Sequence, residues 1–124
     1  MAQKYIVGDL VIYTYLIKEP VAEICEVHEA SYTVKFMHGN FAVTSKGIKP
    51  ITLTPEILEK NGWKLSHGFY WSSNEEGAGV GLKSQTGYVW EAYIGRRLLR
   101  SNINNVSDLQ HLLFGLGLNS EMEV

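Results

Sequence analysis

Few side chains in this sequence have the chemistry for catalysis or metal binding, and they are widely scattered. The four histidines are His28, His38, His67 and His111. No two sit at the short spacing that places a pair of imidazoles on one side of a helix or hairpin, so no metal site is expected. Nucleophilic catalysis needs a nucleophile, a base and a group that orients the base. Cys25, the single cysteine, falls in Val21-Ala-Glu-Ile-Cys-Glu-Val27. That segment reads as a strand in which cysteine serves as a small buried apolar residue. No serine lies in a Gly-x-Ser-x-Gly elbow. Glu75 and Glu76 are adjacent carboxylates in a polar stretch, read as a solvated turn. Gly77-Ala-Gly-Val-Gly81 lacks the lysine and the following long helix of a phosphate-binding loop. No catalytic, cofactor-binding or metal-ligating residue is therefore assigned, no cofactor is implied, and the chain is read as non-enzymatic.

The one basic cluster is Arg96, Arg97 and Arg100. With Trp71 and Tyr93 it forms the candidate interaction surface. Guanidinium groups neutralise phosphates and aromatic rings stack on bases, so this set would suit single-stranded nucleic acid. On a strand, however, alternation puts Arg96 and Arg100 on one face with Leu98, and Arg97 on the other with Leu99. The plainer account is that charged positions on an edge strand discourage unwanted sheet pairing.

The composition restricts partners further. With 124 residues, 45% of them hydrophobic and 11% aromatic, the chain has material for one domain or two small units sharing a core. The net charge of −2, from 11 basic and 13 acidic residues, supplies no long-range attraction for nucleic acid or an anionic membrane. A single cysteine allows no internal disulfide and fits a reducing compartment. No segment reads as a signal peptide or a membrane span, so the expectation is a cytoplasmic protein with no membrane partner.

The elements that position these residues follow from their pattern. Tyr5–Tyr15 is rich in β-branched and aromatic residues and is broken by a Gly8-Asp9 turn. Val21–His28 continues extended. In Ser31–Phe36, Tyr32, Val34 and Phe36 alternate with polar neighbours, which marks a strand wet on one side. His38-Gly39-Asn40 predicts a hairpin, returning through Phe41–Thr44, with a further extended piece at Ile48–Leu53. Short strands in quick succession favour closure, and an SH3-like barrel is expected over residues 1–50.

Thr54-Pro55-Glu56 predicts a helix start, and Asn61-Gly62 its stop. Phe69–Trp71, Val80–Lys83, Tyr88–Ile94 and Arg96–Ser101 predict a curled antiparallel sheet, with residues 72–79 as a loop. Val106, Leu109, Leu112, Leu113 and Leu116 recur at helical spacing and predict an amphipathic helix. Its cap candidates are Asn104, Asn105 and Ser107, and its apolar stripe is expected to cover a sheet face or to seal the junction between the two parts. Gln110 and His111 read as closer to solvent. The second part is therefore a helix–sheet–helix unit over residues 51–124, and the fold class is α+β.

Three stretches, Val7-Gly-Asp-Leu-Val11, Ile51–Trp63 and Asp108-Leu-Gln-His-Leu-Leu-Phe114, resemble small uncharacterised proteins of Bacteroides-type gut bacteria and their phages or integrated elements. The resemblance spans nearly the whole chain. It implies a bacterial or phage origin and an intracellular setting, and it brings no known activity, ligand or partner with it.

Composition and motifs together favour a non-catalytic protein-interaction or structural accessory module. Single-stranded nucleic-acid binding through the arginine–aromatic surface is the alternative. The identity of a protein partner, and whether the chain pairs with itself, are left open by the sequence.

Overall fold

The computed structural model describes residues 5–16, 18–72 and 79–124. The element order is β1 (Leu10–Tyr13), β2 (Val21–Val27), β3 (Tyr32–Phe36), β4 (Phe41–Thr44), β5 (Ile48–Pro50), α1 (Pro55–Lys60), β6 (Lys64–Ser66), β7 (Phe69–Trp71), β8 (Val80–Lys83), β9 (Trp90–Ile94), β10 (Arg97–Ile103) and α2 (Val106–Gly115). The strands form two five-stranded antiparallel sheets, ordered β4-β3-β2-β1-β5 and β10-β9-β8-β7-β6. The chain divides into two compact units, Met1–Ile51 with Leu109–Glu121, and Thr52–Asp108 with Met122–Val124. Helix α2 thus starts in the second unit, and its body belongs to the first. No described helix is long and apolar enough to cross a membrane.

The SH3-like barrel expected over residues 1–50 does not form. The first sheet is open, with β4 and β5 as its two unjoined edges, and the second is also open, not strongly curled. The physical reason lies in the edges. Closing the first sheet would need a ladder between a four-residue strand and a three-residue one. Pro50, at the end of β5, has no N–H to contribute to it.

In the first unit, alternation along the strands turns Val11, Ala22, Ile24, Val34 and Phe36 into one core cluster, which Tyr5 joins from ahead of β1 and which Tyr13, Val27, Tyr32, Ala42 and Ile48 flank. Tyr5 meets Tyr32 edge-on at 5.6 Å, and Tyr13 meets Phe36 edge-on at 5.2 Å. Both contacts are favourable aromatic geometries. Gly39 makes the predicted hairpin with φ of +93°. Its N–H donates to the Phe36 carbonyl at 2.9 Å, and the Phe36 N–H donates to the Asn40 carbonyl at 2.8 Å. Cys25 differs from expectation. The β2–β3 register shifts between Ile24 and Glu26, so Cys25 sits at the irregularity, half-buried, with its thiol donating to the Thr33 carbonyl at 3.3 Å.

In the second unit, Thr54 caps α1 by accepting the Ile57 N–H, with Pro55 opening the helix and Glu56 in its first turn. Gly62, at φ +84°, ends it, and the Trp63 N–H returns to the Leu58 carbonyl at 3.0 Å. The tail comes back to this helix end, where the Asn61 side chain exchanges hydrogen bonds of 2.7 Å with the backbone of Glu123. Strand β6 is absent from the sequence reading. Its signal is His67-Gly68, both at positive φ (52° and 83°), which turns β6 directly into β7. Trp90 is buried, and its indole N–H donates to the carbonyl of equally buried Leu53 at 3.0 Å.

Asn105 is the cap of α2. Its side-chain oxygen accepts the Asp108 N–H at 2.8 Å and the Ser107 hydroxyl at 2.8 Å. Beyond the helix end, Gly117 (φ +73°) turns the chain back, and the Leu118 N–H reaches the Leu113 carbonyl at 2.9 Å.

Candidate functional site

Three groups of residues have a claim to function. The first joins the Gly8-Asp9 turn to Gln110 and His111, all within the first unit. Gly8 adopts φ of +96°, and its N–H donates to the Ile24 carbonyl at 2.8 Å. Asp9 accepts the Ile6 N–H at 2.9 Å, and His111 Nε2 lies 2.6 Å from the same carboxylate oxygen. Gln110 accepts the Leu10 N–H at 3.0 Å and donates to the carbonyls of Gly8 at 3.0 Å and Ser120 at 3.1 Å. Gln110 and His111 were expected nearer to solvent. Gln110 is in fact buried and His111 half-buried, because the buried face of α2 runs through Val106, Leu109, Gln110 and Leu113. A glutamine tolerates burial when each polar atom is bonded, and here both are. The Gln110 bonds run to backbone and, together with the side-chain bond between Asp9 and His111, hold the helix to the turn.

The second group is the arginine–aromatic set, all in the second unit. Register pairs Arg97 with Ile94, Leu98 with Tyr93 and Arg100 with Ala92. Directly paired residues share a face, so Arg97 and Arg100 lie on the side of Ala92 and Ile94, opposite Tyr93. Arg96 is exposed in the turn between β9 and β10. Arg100 is held 3.5 Å from Asp108. Tyr93 and Trp71 do meet one cluster. Phe69 stacks on Trp71 at 5.4 Å and takes the Tyr93 ring edge-on at 5.5 Å, and the Lys83 ammonium lies 5.7 Å above Phe69. Trp71 is buried, however, lying across Gly81, with its indole N–H donating to the Ser66 carbonyl at 3.2 Å. The structure therefore gathers the two aromatics and leaves the arginines elsewhere.

The third group is one that sequence reading passed over. Strand β4 is an edge of the first sheet. Phe41 and Val43 share its outer face and are 62% and 67% exposed. Lys35, paired with Phe41 on β3, places its ammonium 5.9 Å from the ring. The other three described edges carry features that discourage pairing. Strand β5 has Lys49 and Pro50, β6 has Lys64, and β10 has Arg97, Arg100 and two breaks in register. Strand β4, Phe-Ala-Val-Thr, has no charge, proline or bulge. The available signal was that unguarded composition, and only the strand order shows that it falls at an edge.

Among the described residues, no group of three or more histidine, cysteine or acidic side chains could hold a metal ion. Glu75, Glu76 and Gly77 lie outside the described residues. No protein-family model, curated protein or solved structure matches the chain.

Proposed function

We propose that this chain is a non-catalytic protein-interaction module that takes an extended segment along the open β4 edge. A bacterial or phage origin is part of the same reading and rests on the resemblance in Ile51–Trp63 and Asp108–Phe114. One observation carries the proposal. Strand β4 alone among the four described edges lacks a guarding feature, and it presents two large apolar side chains to solvent. An edge of this kind recruits a strand by main-chain hydrogen bonds, and its outward side chains select the sequence.

The ladder phase supports this. The Phe36 N–H bonds to the Asn40 carbonyl, and antiparallel bonding alternates along a strand. Ala42 and Thr44 therefore turn their backbone groups to β3, and Phe41 and Val43 turn theirs to the open side.

The test is selection of a random ten-residue peptide display library on the wild-type protein and on Val43→Pro. That proline removes an outward N–H and leaves the β3 ladder intact. Enrichment of peptides with alternating apolar residues, lost on the variant, supports the reading. Peptides that bind both proteins equally, or no enrichment, count against it. So does tight binding of a short oligonucleotide that weakens steeply with salt, which would favour the nucleic-acid alternative.

A further inference from the structure

We propose that the strand taken up by β4 is β4 of a second copy of this chain, joined antiparallel about a two-fold axis passing beside Ala42. This rests on the reading of β4 as an interaction edge and names its occupant.

The short sequence of β4 is its own complement. With Ala42 opposite Ala42 of the second copy, Phe41 lies opposite Val43 of the second copy, and Val43 opposite its Phe41. These are the residues whose N–H and C=O groups point outward, so the register satisfies both edges with about four ladder hydrogen bonds. An aromatic residue facing a β-branched one on the outer side is a favourable cross-strand pair. The inner side meets only methyl against methyl. Thr44 limits the pairing, because its hydroxyl donates to the Lys46 carbonyl and accepts the Lys46 N–H, turning the chain away after this residue.

Charge favours the same arrangement. On one copy the row reads Glu23, Lys35, Phe41. It continues on the other through Val43, Thr33 and Glu26. No like charges meet, and the two Lys35 side chains fall in different rows. A foreign strand would need a matched apolar pattern, whereas a second copy brings one by symmetry. The pairing is short, so association is weak and concentration-dependent.

Sedimentation equilibrium up to about 1 mM reads the association directly. The expected result is a monomer–dimer equilibrium in the wild type. Mixing labelled and unlabelled protein should give nuclear Overhauser contacts between the Phe41 ring and the Val43 methyls of different molecules. Amide exchange at Phe41 and Val43 should slow with concentration, while Ala42 and Thr44 remain unchanged. The double variant Phe41→Lys/Val43→Lys sets lysines opposite each other and should weaken the dimer by about tenfold or more. A wild type that stays monomeric throughout overturns the proposal. A dimer without the Phe41–Val43 contact also overturns it. Neither result depends on the variant folding. If the wild type is monomeric yet its edge still selects peptides that Val43→Pro loses, self-pairing fails and the broader reading stands. If both fail, β4 is not an interaction edge.

Discussion

Asp9 Oδ2 and His111 Nε2 stand 2.6 Å apart although 102 positions separate them in the chain. The aspartate side chain is 1% exposed and the histidine side chain 27%. A buried carboxylate is tolerated only when its oxygens are bonded, and this one accepts from both the Ile6 N–H and the imidazole. The pair fastens the body of α2 to the turn that opens β1. Asp9→Ala leaves the Ile6 N–H without that acceptor and is expected to cost about 1–3 kcal/mol. Urea unfolding checks it, and an unchanged midpoint would show that the pair holds nothing.

Gln110 separates the two ways of reading α2. If the helix buried a purely leucine stripe, Gln110→Leu would be neutral or stabilising. Its side chain instead bonds the Leu10 N–H and the Gly8 and Ser120 carbonyls. Replacing it by leucine should destabilise the protein by about 2–4 kcal/mol, the penalty of stranding several buried backbone groups. A denaturant midpoint equal to or above that of the wild type would refute this.

Leu113 and Leu116 occupy the same apolar repeat and should behave differently. Leu113 is 5% exposed and Leu116 38%. Leu113→Ala is expected to cost about 2–5 kcal/mol, and Leu116→Ala less than about 1 kcal/mol. Parallel thermal melts of the two variants decide it. Equal losses would mean that the helix is rotated from the orientation described.

Gly81 must stay small because of Trp71. A Cβ at this position would lie 2.6 Å from the indole ring, and the ring is buried. Gly81→Ala should therefore destabilise by about 1–3 kcal/mol through overpacking, even though alanine suits a strand better than glycine. The near-ultraviolet circular dichroism of the tryptophans should change with it. A neutral substitution would show that Trp71 moves aside freely.

Tyr70 should govern part of the alkaline behaviour. Burial raises its phenol above the ordinary value of 10.0, and the carboxylates of Glu59 and Glu56 raise it further. A group that holds its proton more firmly when folded contributes fully below its unfolded pKa. That contribution is lost as pH rises through the higher folded value. Stability should thus decline above about pH 10, and Tyr70→Phe should decline less steeply over the same range. Urea melts at stepped pH test this, with phenolate absorbance following the titration; identical slopes would exclude Tyr70 as a source.

Much of the local structure was legible because it depends on near neighbours. Thr54, Pro55 and Gly62 bound α1 by capping and backbone freedom alone. Gly39 turns its hairpin for the same reason. What eluded sequence reading required partners from far along the chain. Helical spacing makes Val106, Leu109, Gln110 and Leu113 as valid a stripe as one through Leu112 and Leu116. The choice between them fell to Gly8 and Leu10, which offer backbone groups for a glutamine to bond. The arginines were legible as a cluster in sequence, but Arg97 pairs with Ile94, and the register break after Leu98 sets Arg100 opposite Ala92, so both lie on the face away from Tyr93.

Alone, the sequence determined the hairpin at Gly39, the start and stop of α1 and the extended character of most strands, since these follow from backbone preference and side-chain period. Tertiary structure alone decided that neither sheet closes, that Asp9 meets His111, and that an uncharged Phe-Ala-Val-Thr strand lies at an edge. Each of these is set by which strand finds which neighbour, a choice made by distant pairing energies that no local pattern encodes.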